Sequence, residues 1–333
     1  MGLKIENVSK KYGTKQVVDN ISIKLDKPEV FGLLGTNGAG KTTTIRMLLG
    51  IIKKDSGTIT WNDKEVDRKS VNFGYLPEER GVYPKVKIMD QLKYFAELKG
   101  MKKEDTIKSI NSWAKKLKVE EYLELPAEKL SKGNQQKIQF MTAVIHNPDL
   151  IVLDEPFSGL DPVNTEILKN VIIDLVKKGK YIIMSAHEMH TIEEFCTDIL
   201  ILNKGKTVLK GNIKDIKNTY KANRIEIEST EDITEIIKEQ KLKIENSHDN
   251  SYVVKIDNEK QGHDLLKEIV KKKIEINKFE ILKPSLNDIF IEKVGGKNAW
   301  YTYSNEIHCA WYDKKKIIYN INNNYIINDS NRI

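Results

Sequence analysis

The chain has 333 residues, 39% of them hydrophobic, which is enough for two domains, or one large domain with an appendage, around a real core. Against 48 acidic residues stand 55 basic ones, and the surplus of +7 is scattered among lysines; that pattern fits a solvated exterior better than a nucleic-acid or lipid-binding surface. The two cysteines, Cys196 and Cys309, lie outside any metal-type spacing, the start MGLKIENVSKKYG lacks a signal-peptide core, and apolar runs such as Ile199–Leu202 are too short to cross a bilayer, so a reducing cytosol is expected and any membrane role has to pass through a partner.

Residues 1–30 read as short alternating strands, with Leu3, Ile5 and Val8 first, then Val17–Val18 and Ile21, Ile23 and Leu25. Val30–Leu34 is a compact apolar strand that feeds a glycine-rich loop. A helix from Thr42 to Leu49 stops at Gly50. Gly57–Trp61 and Val71–Leu76 are further strands. From about Glu78 the period becomes helical: Ile88, Leu92, Phe95 and Leu98, then Ile107, Ile110, Trp113 and Leu117, then Ile138, Met141 and Ile145, closing at Asn147-Pro148. Leu150–Leu153 and Tyr181–Met184 return as apolar strands with a helix, Asn164–Lys177, between them. That alternation predicts a parallel sheet with helices on both faces.

After Lys217 the pattern changes. Strands are expected at Arg224–Ile227, Tyr252–Ile256 and Ile274–Ile281, and helices at Asp232–Glu239 and Gln261–Lys271, an order that suggests a small ferredoxin-like α+β domain. The Asn- and Ile-rich end, as in YNINNNYIIND, shows neither period and is expected to be a disordered tail.

Three stretches carry chemistry. GTNGAGKT, Gly35 to Thr42, fits G-x-x-x-x-G-K-[ST] between a strand and a helix, where backbone amides and the helix N-terminus can wrap phosphate. Lys41 is placed to reach the β- and γ-phosphates and the Thr42 hydroxyl to hold Mg²⁺. LIVLDEP, Leu150 to Pro156, is an apolar strand ending in two acids: Asp154 to orient the metal, Glu155 to polarise the attacking water. His187 ends the next apolar strand, where a γ-phosphate contact is favoured over a structural histidine. A second anion-binding element is LSKGNQQKIQF: a Ser-Lys-Gly-Asn turn before a helix read from Gln135 to His146. Taken alone, Ser131 is better explained as a cap on its own helix.

Together Gly35–Thr42, Leu130–Gln136, Leu150–Glu155, Ser158-Gly159-Leu160-Asp161 and His187 resemble, in order and spacing, the ATP-binding cassette ATPases of ABC transporters, over about residues 1–220. The resemblance implies an α/β P-loop cassette in residues 1–218, with a mixed, largely parallel sheet, an antiparallel β subdomain and a helical subdomain at about 79–147. A small α+β accessory domain is expected at 219–296 and the tail at 297–333. It implies ATP and Mg²⁺ as cofactors, with Gly35, Thr36, Asn37, Gly38, Ala39, Gly40, Lys41, Thr42 and Thr43 around the phosphates, and Lys41, Glu155 and His187 in catalysis. Thr42, Asp154 and Glu78 are the metal candidates. Tyr12 matches the aromatic that stacks on adenine, with an exposed turn tyrosine as the equal alternative, and Asp161 matches the acid that communicates between two sites.

The same resemblance answers why a second anion site exists. Ser131 and the Gly133 amide would bind the γ-phosphate held by Lys41 of a second copy, or of a paralogous subunit, in a head-to-tail dimer. A separate membrane permease would dock near Glu78–Pro84, placing the protein in the cytoplasm on the inner face of the membrane. Two departures stand out. Glu78 replaces the usual lid glutamine, and Lys132-Gly133-Asn134 replaces Gly-Gly-Gln. GYLPEERGVYPKVKIMDQLKYFAELKGM resembles the branch that holds sodium-extrusion and related ABC-2-type exporters, whose C-terminal extension matches residues 220–296 in size. Two rivals are weighed against this: a soluble cassette ATPase acting on nucleic acid or ribosomes, disfavoured by the single phosphate loop, and a nucleotide-gated regulator, disfavoured by Glu155.

Overall fold

The computed structural model describes residues 2–66, 71–79, 81–186 and 189–294. It divides into two units, residues 1–286 and 287–333. The expected tail, 297–333, lies outside the described residues.

The first unit opens with β1 (Leu3–Tyr12) and β2 (Lys15–Leu25), an antiparallel hairpin whose buried residues alternate at Leu3 and Ile5 and at Ile21, Ile23 and Leu25, the period being broken between these and Val8 and Val18 by irregular register at left-handed Asn7 and Asn20. Then β3 (Val30–Gly35) runs buried along its whole length into the glycine loop and α1 (Lys41–Leu48). β4 (Ser56–Trp61) pairs with β1, and β5 (Lys64–Glu65) with β4, giving a sheet in the order β2-β1-β4-β5. β6 (Phe73–Leu76) leads to the helical block: α2 (Ile88–Leu98), α3 (Lys103–Leu117) and α4 (Lys132–Val144). The second apolar series is β7 (Leu150–Asp154), α5 (Pro162–Lys177), β8 (Tyr181–Ala186), α6 (Met189–Phe195), β9 (Asp198–Asn203) and β10 (Lys206–Asn212).

These strands form a six-stranded sheet, β10-β9-β3-β8-β7-β6, parallel except for the β9–β10 hairpin. β3, β7 and β8 are buried at every position, which is why they read as unbroken apolar runs rather than alternating ones. The sequence reading put Lys132-Gly133-Asn134 in a turn, but they form the first turn of α4. Ser131 ends the extended chain and its Oγ accepts the Asn134 amide at 3.3 Å, so the helix starts two residues after Leu130.

After α7 (Ile213–Asn218) come β11 (Arg224–Ser229), α8 (Thr234–Glu239), β12 (Lys243–His248), β13 (Ser251–Lys255), α9 (Glu259–Lys271) and β14 (Ile276–Leu282). The antiparallel order β12-β13-β11-β14 is the ferredoxin-like arrangement expected from the sequence. One face is packed by Ile225, Ile227, Tyr252, Val254, Leu265 and Ile269 into a core of its own. β12, KIENSH, escaped the sequence reading because it is an almost wholly exposed edge strand with no apolar alternation. The described part of the second unit belongs to α10 (Leu286–Val294), also unforeseen.

At the amino edge of the large sheet, Glu29 is only 6% exposed. Burial, then the neighbouring Asp198 charge, pushes its carboxyl up to about 7, while Lys27 opposes. A native state that holds this proton more tightly than the unfolded chain loses stability as pH rises from the ordinary carboxylate range through 7. Glu29→Gln should therefore melt higher than the parent at pH 8, by roughly 3 °C, and by little at pH 5; thermal melts of both proteins at the two pH values check this.

Candidate functional site

Parallel pairing aligns Leu34 with Ala186 and Asp154 with Ser185, so β3, β7 and β8 end together at the carboxyl edge. Three elements that are distant in sequence therefore converge. The loop between β3 and α1 takes left-handed backbone angles at Gly38 (φ 76°) and Gly40 (φ 105°). A β-carbon at Gly40 would stand 2.7 Å from the Val17 carbonyl oxygen, so only glycine brings the loop this close to β2. Lys41, only 8% exposed, folds back and donates from Nζ to the Gly35 carbonyl at 2.6 Å, holding its ammonium under the loop.

A cavity of about 310 Å³ lies over this loop, lined by Val17, Thr36, Asn37, Gly38, Ala39, Gly40, Lys41, Thr42, Thr43, Glu78 and Glu155. Amides of the loop and the start of α1 surround it, the arrangement that binds a polyphosphate. The expected loop residues from Thr36 to Thr43 and two of the three acidic candidates, Glu78 and Glu155, are thus brought together. Gly35 and Asp154 stand just behind the lining.

Asp154 is 1% exposed. Its Oδ1 accepts a short hydrogen bond from the Ser185 hydroxyl, and its Oδ2 is buried without a partner. Burial raises its pKa; the Ser185 bond opposes this, Glu78 adds to it, and Lys41 and Thr42 act the other way. A buried, unpaired carboxylate oxygen beside a threonine hydroxyl and a second carboxylate is a donor set that fits Mg²⁺, a hard cation that keeps oxygen ligands. Among the described residues no three His, Cys, Asp or Glu side chains gather into a metal site on their own, so phosphate and water oxygens would complete the shell.

Glu155 breaks the strand with a left-handed φ of 53°, and its amide donates to Ser185 at 3.2 Å. This bend turns the second carboxylate away from Asp154 and into the cavity. Ser185 was missed by the sequence reading. The available signal was a hydroxyl in an otherwise apolar strand, one residue across from Asp154.

Other candidates lie elsewhere. Tyr12 is 52% exposed at the β1–β2 turn, with Lys10 Nζ 5.6 Å from its ring centre, and does not line the cavity. Ser131 and Gly133 also lie outside it. Gly133 packs against Asn164 and Leu160; a β-carbon there would meet Asn164 Nδ2 at 3.3 Å. Asp161 caps α5, with Oδ1 accepting the Asn164 amide at 2.9 Å, and these bonds hold its carboxyl below the usual range. His187 lies outside the described residues.

Two glutamines that were not singled out join α4 to the site. Gln136 Nε2 donates to the Pro156 carbonyl at 3.1 Å, next to Glu155. Gln139 Nε2 donates to the Glu79 carbonyl at 2.8 Å, next to Glu78.

A strand–glycine loop–helix with paired acids at the end of β7, one strand beyond β8 in the same sheet, defines a P-loop nucleotide-binding cassette. Residues 18–158 match the ABC transporter family model, and residues 211–294 match the DrrA1-3-like ATP-binding protein C-terminal domain. The chain is 44% identical to the uncharacterized ABC transporter ATP-binding protein YhaQ of Bacillus subtilis (strain 168), over 88% of this chain and 98% of that one. It is 52% identical to the uncharacterized ABC transporter ATP-binding protein MJ1023 of Methanocaldococcus jannaschii, over 64% of this chain and 79% of that one. Among solved structures, the ATP binding subunit of an ABC transporter superposes with a TM-score of 0.61 at 28% identity, covering 66% of this chain and 93% of the other. This chain belongs to the ATP-binding subunits of ABC transporters, the cassette family that hydrolyses ATP to power transport.

Gly40→Ala forces a side chain into a left-handed backbone against the Val17 carbonyl, so the loop must open. ATP affinity is expected to fall by at least about tenfold, an order of magnitude set by 1–3 kcal/mol of backbone strain. Equilibrium titration with a fluorescent ATP analogue measures it.

Proposed function

We propose that this subunit drives an exporter by closing on ATP as a head-to-tail homodimer, with a separate membrane permease riding on the cycle. The observation that carries the reading is a split site. The phosphate-loop cavity contains Lys41, Thr42, Glu78 and Glu155 but neither Ser131 nor Gly133 of its own chain. A second copy, turned through a two-fold axis, can supply them. Ser131 loses nothing by capping α4: its oxygen accepts the Asn134 amide and its hydroxyl proton stays available for a phosphate oxygen.

In this reading Glu155 positions and polarises the attacking water, Lys41 steadies the β- and γ-phosphates, and Asp154, Thr42 and Glu78 hold Mg²⁺. The bound cation would neutralise charge building on the transferred phosphoryl group. Closure is worth work because ATP, but not ADP, offers a γ-phosphate to the facing Ser131 and Gly133. Tyr12 is assigned to the adenine, Asp161 to communication between the two sites, and His187 to the γ-phosphate.

The permease has a suitable berth. A groove of about 510 Å³ runs between the large sheet and the helical block, lined by apolar Leu49, Ile51, Phe73, Phe95 and Leu98. Lys99 and His146 form its polar end, both held to the Phe73 carbonyl, at 3.1 Å and 2.9 Å. A carbonyl only accepts, so Nε2 of His146 carries a proton, and burial lowers the pKa of the ring to about 4, which favours its neutral form. No helix among the described residues is long and apolar enough to cross a membrane; in this reading the groove carries the contact with the permease. Sodium is the cargo suggested by the branch resemblance, and export is in keeping with the match to the lipopolysaccharide export system ATP-binding protein LptB of Haemophilus influenzae, 27% identical over 67% of this chain.

With ATP, Glu155→Gln should elute at about twice the monomer mass in size-exclusion chromatography, and adding Ser131→Arg should return it to monomer. A Glu155→Gln dimer that tolerates Ser131→Arg contradicts the split site. Leu98→Glu, on an exposed groove residue, should lose the permease from native-membrane pull-downs at least about tenfold while the purified subunit keeps its ATPase rate. Recovery of ribosomal particles in place of a permease would favour the soluble alternative.

A further inference from the structure

Helix α6 follows the strand that ends at the catalytic edge, and it is clamped there on three sides. Its Ile192 packs on β3 at Gly32, where a β-carbon would stand 2.8 Å from Ile192 Cγ2. Phe195 stacks on Phe157, two residues past Glu155, with ring centres 5.0 Å apart. Lys169 of α5 lies 5.1 Å over the Phe195 ring and pairs with Glu194. The helix is therefore braced against the strand that feeds the phosphate loop and against the segment that carries the catalytic acid.

Its remaining acid faces the accessory domain. Glu193 is about one-quarter exposed, and its carboxylate grips both connections of that domain at once. One oxygen is 3.4 Å from Lys217 Nζ on α7, where the chain enters; the other accepts a short hydrogen bond from the Leu286 amide, just past β14, where the chain leaves. The two connections are also tied to each other, by Lys283 Nζ to Asn218 Oδ1 at 2.8 Å and by the Asn223 amide to the Leu282 carbonyl at 3.1 Å. A single carboxylate thus joins a rigid module to a helix that touches the catalytic segment. Beside that segment a cavity of about 280 Å³, between Phe157, Ser158, Leu160 and Thr191, leaves it room to shift.

We propose that Glu193 is a positioning residue for ATP hydrolysis: through it the accessory domain holds α6, and through Phe195 on Phe157 α6 holds the Glu155 segment in register. The link acts on catalysis rather than on nucleotide binding, because none of its members lines the phosphate cavity. It gives the accessory domain a route by which a change in its own contacts alters turnover. The inference rests on ATP hydrolysis by this chain, which the parent protein's own rate establishes independently.

The test uses the full chain. Glu193→Ala and Lys217→Ala are compared singly and together, with Lys214→Ala, an exposed residue on α7 outside the link, as a control expected to keep the parental kcat. Glu193→Ala is expected to lower kcat about fivefold with KM for ATP changed less than twofold, since the lost contact acts on positioning and not on binding. Glu193→Gln, which keeps an acceptor for the Leu286 amide, should recover at least half of the parental kcat. Lys217→Ala should add little on top of Glu193→Ala, because both remove one link. Amide hydrogen exchange in the Phe157–Leu160 segment should rise with the loss of kcat. A merely structural role predicts instead that kcat is unchanged, or that KM and melting temperature fall together with it while exchange rises throughout the chain; either result overturns the proposal. If Glu193→Ala does not fold, the Glu193→Gln and Lys217→Ala pair decides on the same readouts.

Discussion

The parallel register of β3, β8 and β7 is the constraint on which the rest depends. Pairing Leu34 with Ala186, and Asp154 with Ser185, forces the glycine loop, the acidic pair and the end of β8 to one edge of one sheet. None of these groups could be moved by one residue without turning its side chain to the other face. The strands are buried on both faces, so their positions are fixed by packing, and the loops at their ends inherit that precision. A polyphosphate site needs such placement, because several amides must reach the phosphate oxygens together within about 2.7–3.2 Å, and their bonds weaken steeply once the angle at hydrogen falls below about 120°.

That edge is built at a cost to stability. Asp154 is buried with one oxygen unpaired, a situation worth about 1–3 kcal/mol of desolvation. Glu155 adopts a left-handed backbone without being glycine, and Lys41 spends its ammonium on a backbone carbonyl. Each departure has the same sense. Asp154 keeps a buried, unpaired oxygen and the lysine is held on a neutral acceptor, so a polyphosphate with its cation would satisfy groups that the protein itself leaves wanting. The strained bend at Glu155 also explains why adjacent acids can face different ways from consecutive positions of one strand.

Legibility in the sequence followed the physical origin of each feature. The glycine loop, the buried strands and the accessory helices were readable because local sterics and apolar periodicity write them directly into neighbouring residues. The ferredoxin-like order was readable for the same reason, apart from β12, whose exposed and polar residues carry no period. Gln136 and Gln139 were not readable, since their partners Pro156 and Glu79 are brought near only by tertiary packing; the Ser185 hydroxyl stood out in an apolar strand, but its pairing with Asp154 again depends on the sheet. The start of α4 was misplaced for a subtler reason: Ser131 caps the helix, so residues with turn-like composition, Lys132 to Asn134, become its first turn. Propensity described those residues correctly in isolation and lost to one capping bond.

The longer-range organisation follows from two helices that touch the catalytic edge from opposite directions. Helix α4 reaches it through Gln136 at Pro156 and Gln139 at Glu79, and its buried Gly133 leans on the Asp161 loop. Gln139 also lines the apolar groove, so one side chain belongs both to the segment beside Glu78 and to the groove proposed as the permease berth. A shift of a docked helix in that groove would have to move the Glu79 carbonyl or break its bond to Gln139. Helix α6 reaches the same edge through Phe195 at Phe157 and carries the accessory domain on Glu193. The acid segment Asp154 to Asp161 therefore sits between two mechanical inputs, one facing the groove and one facing the accessory domain. Packed interiors switch between discrete arrangements rather than stretching, so the geometry of Glu155 is the natural point at which both inputs are added.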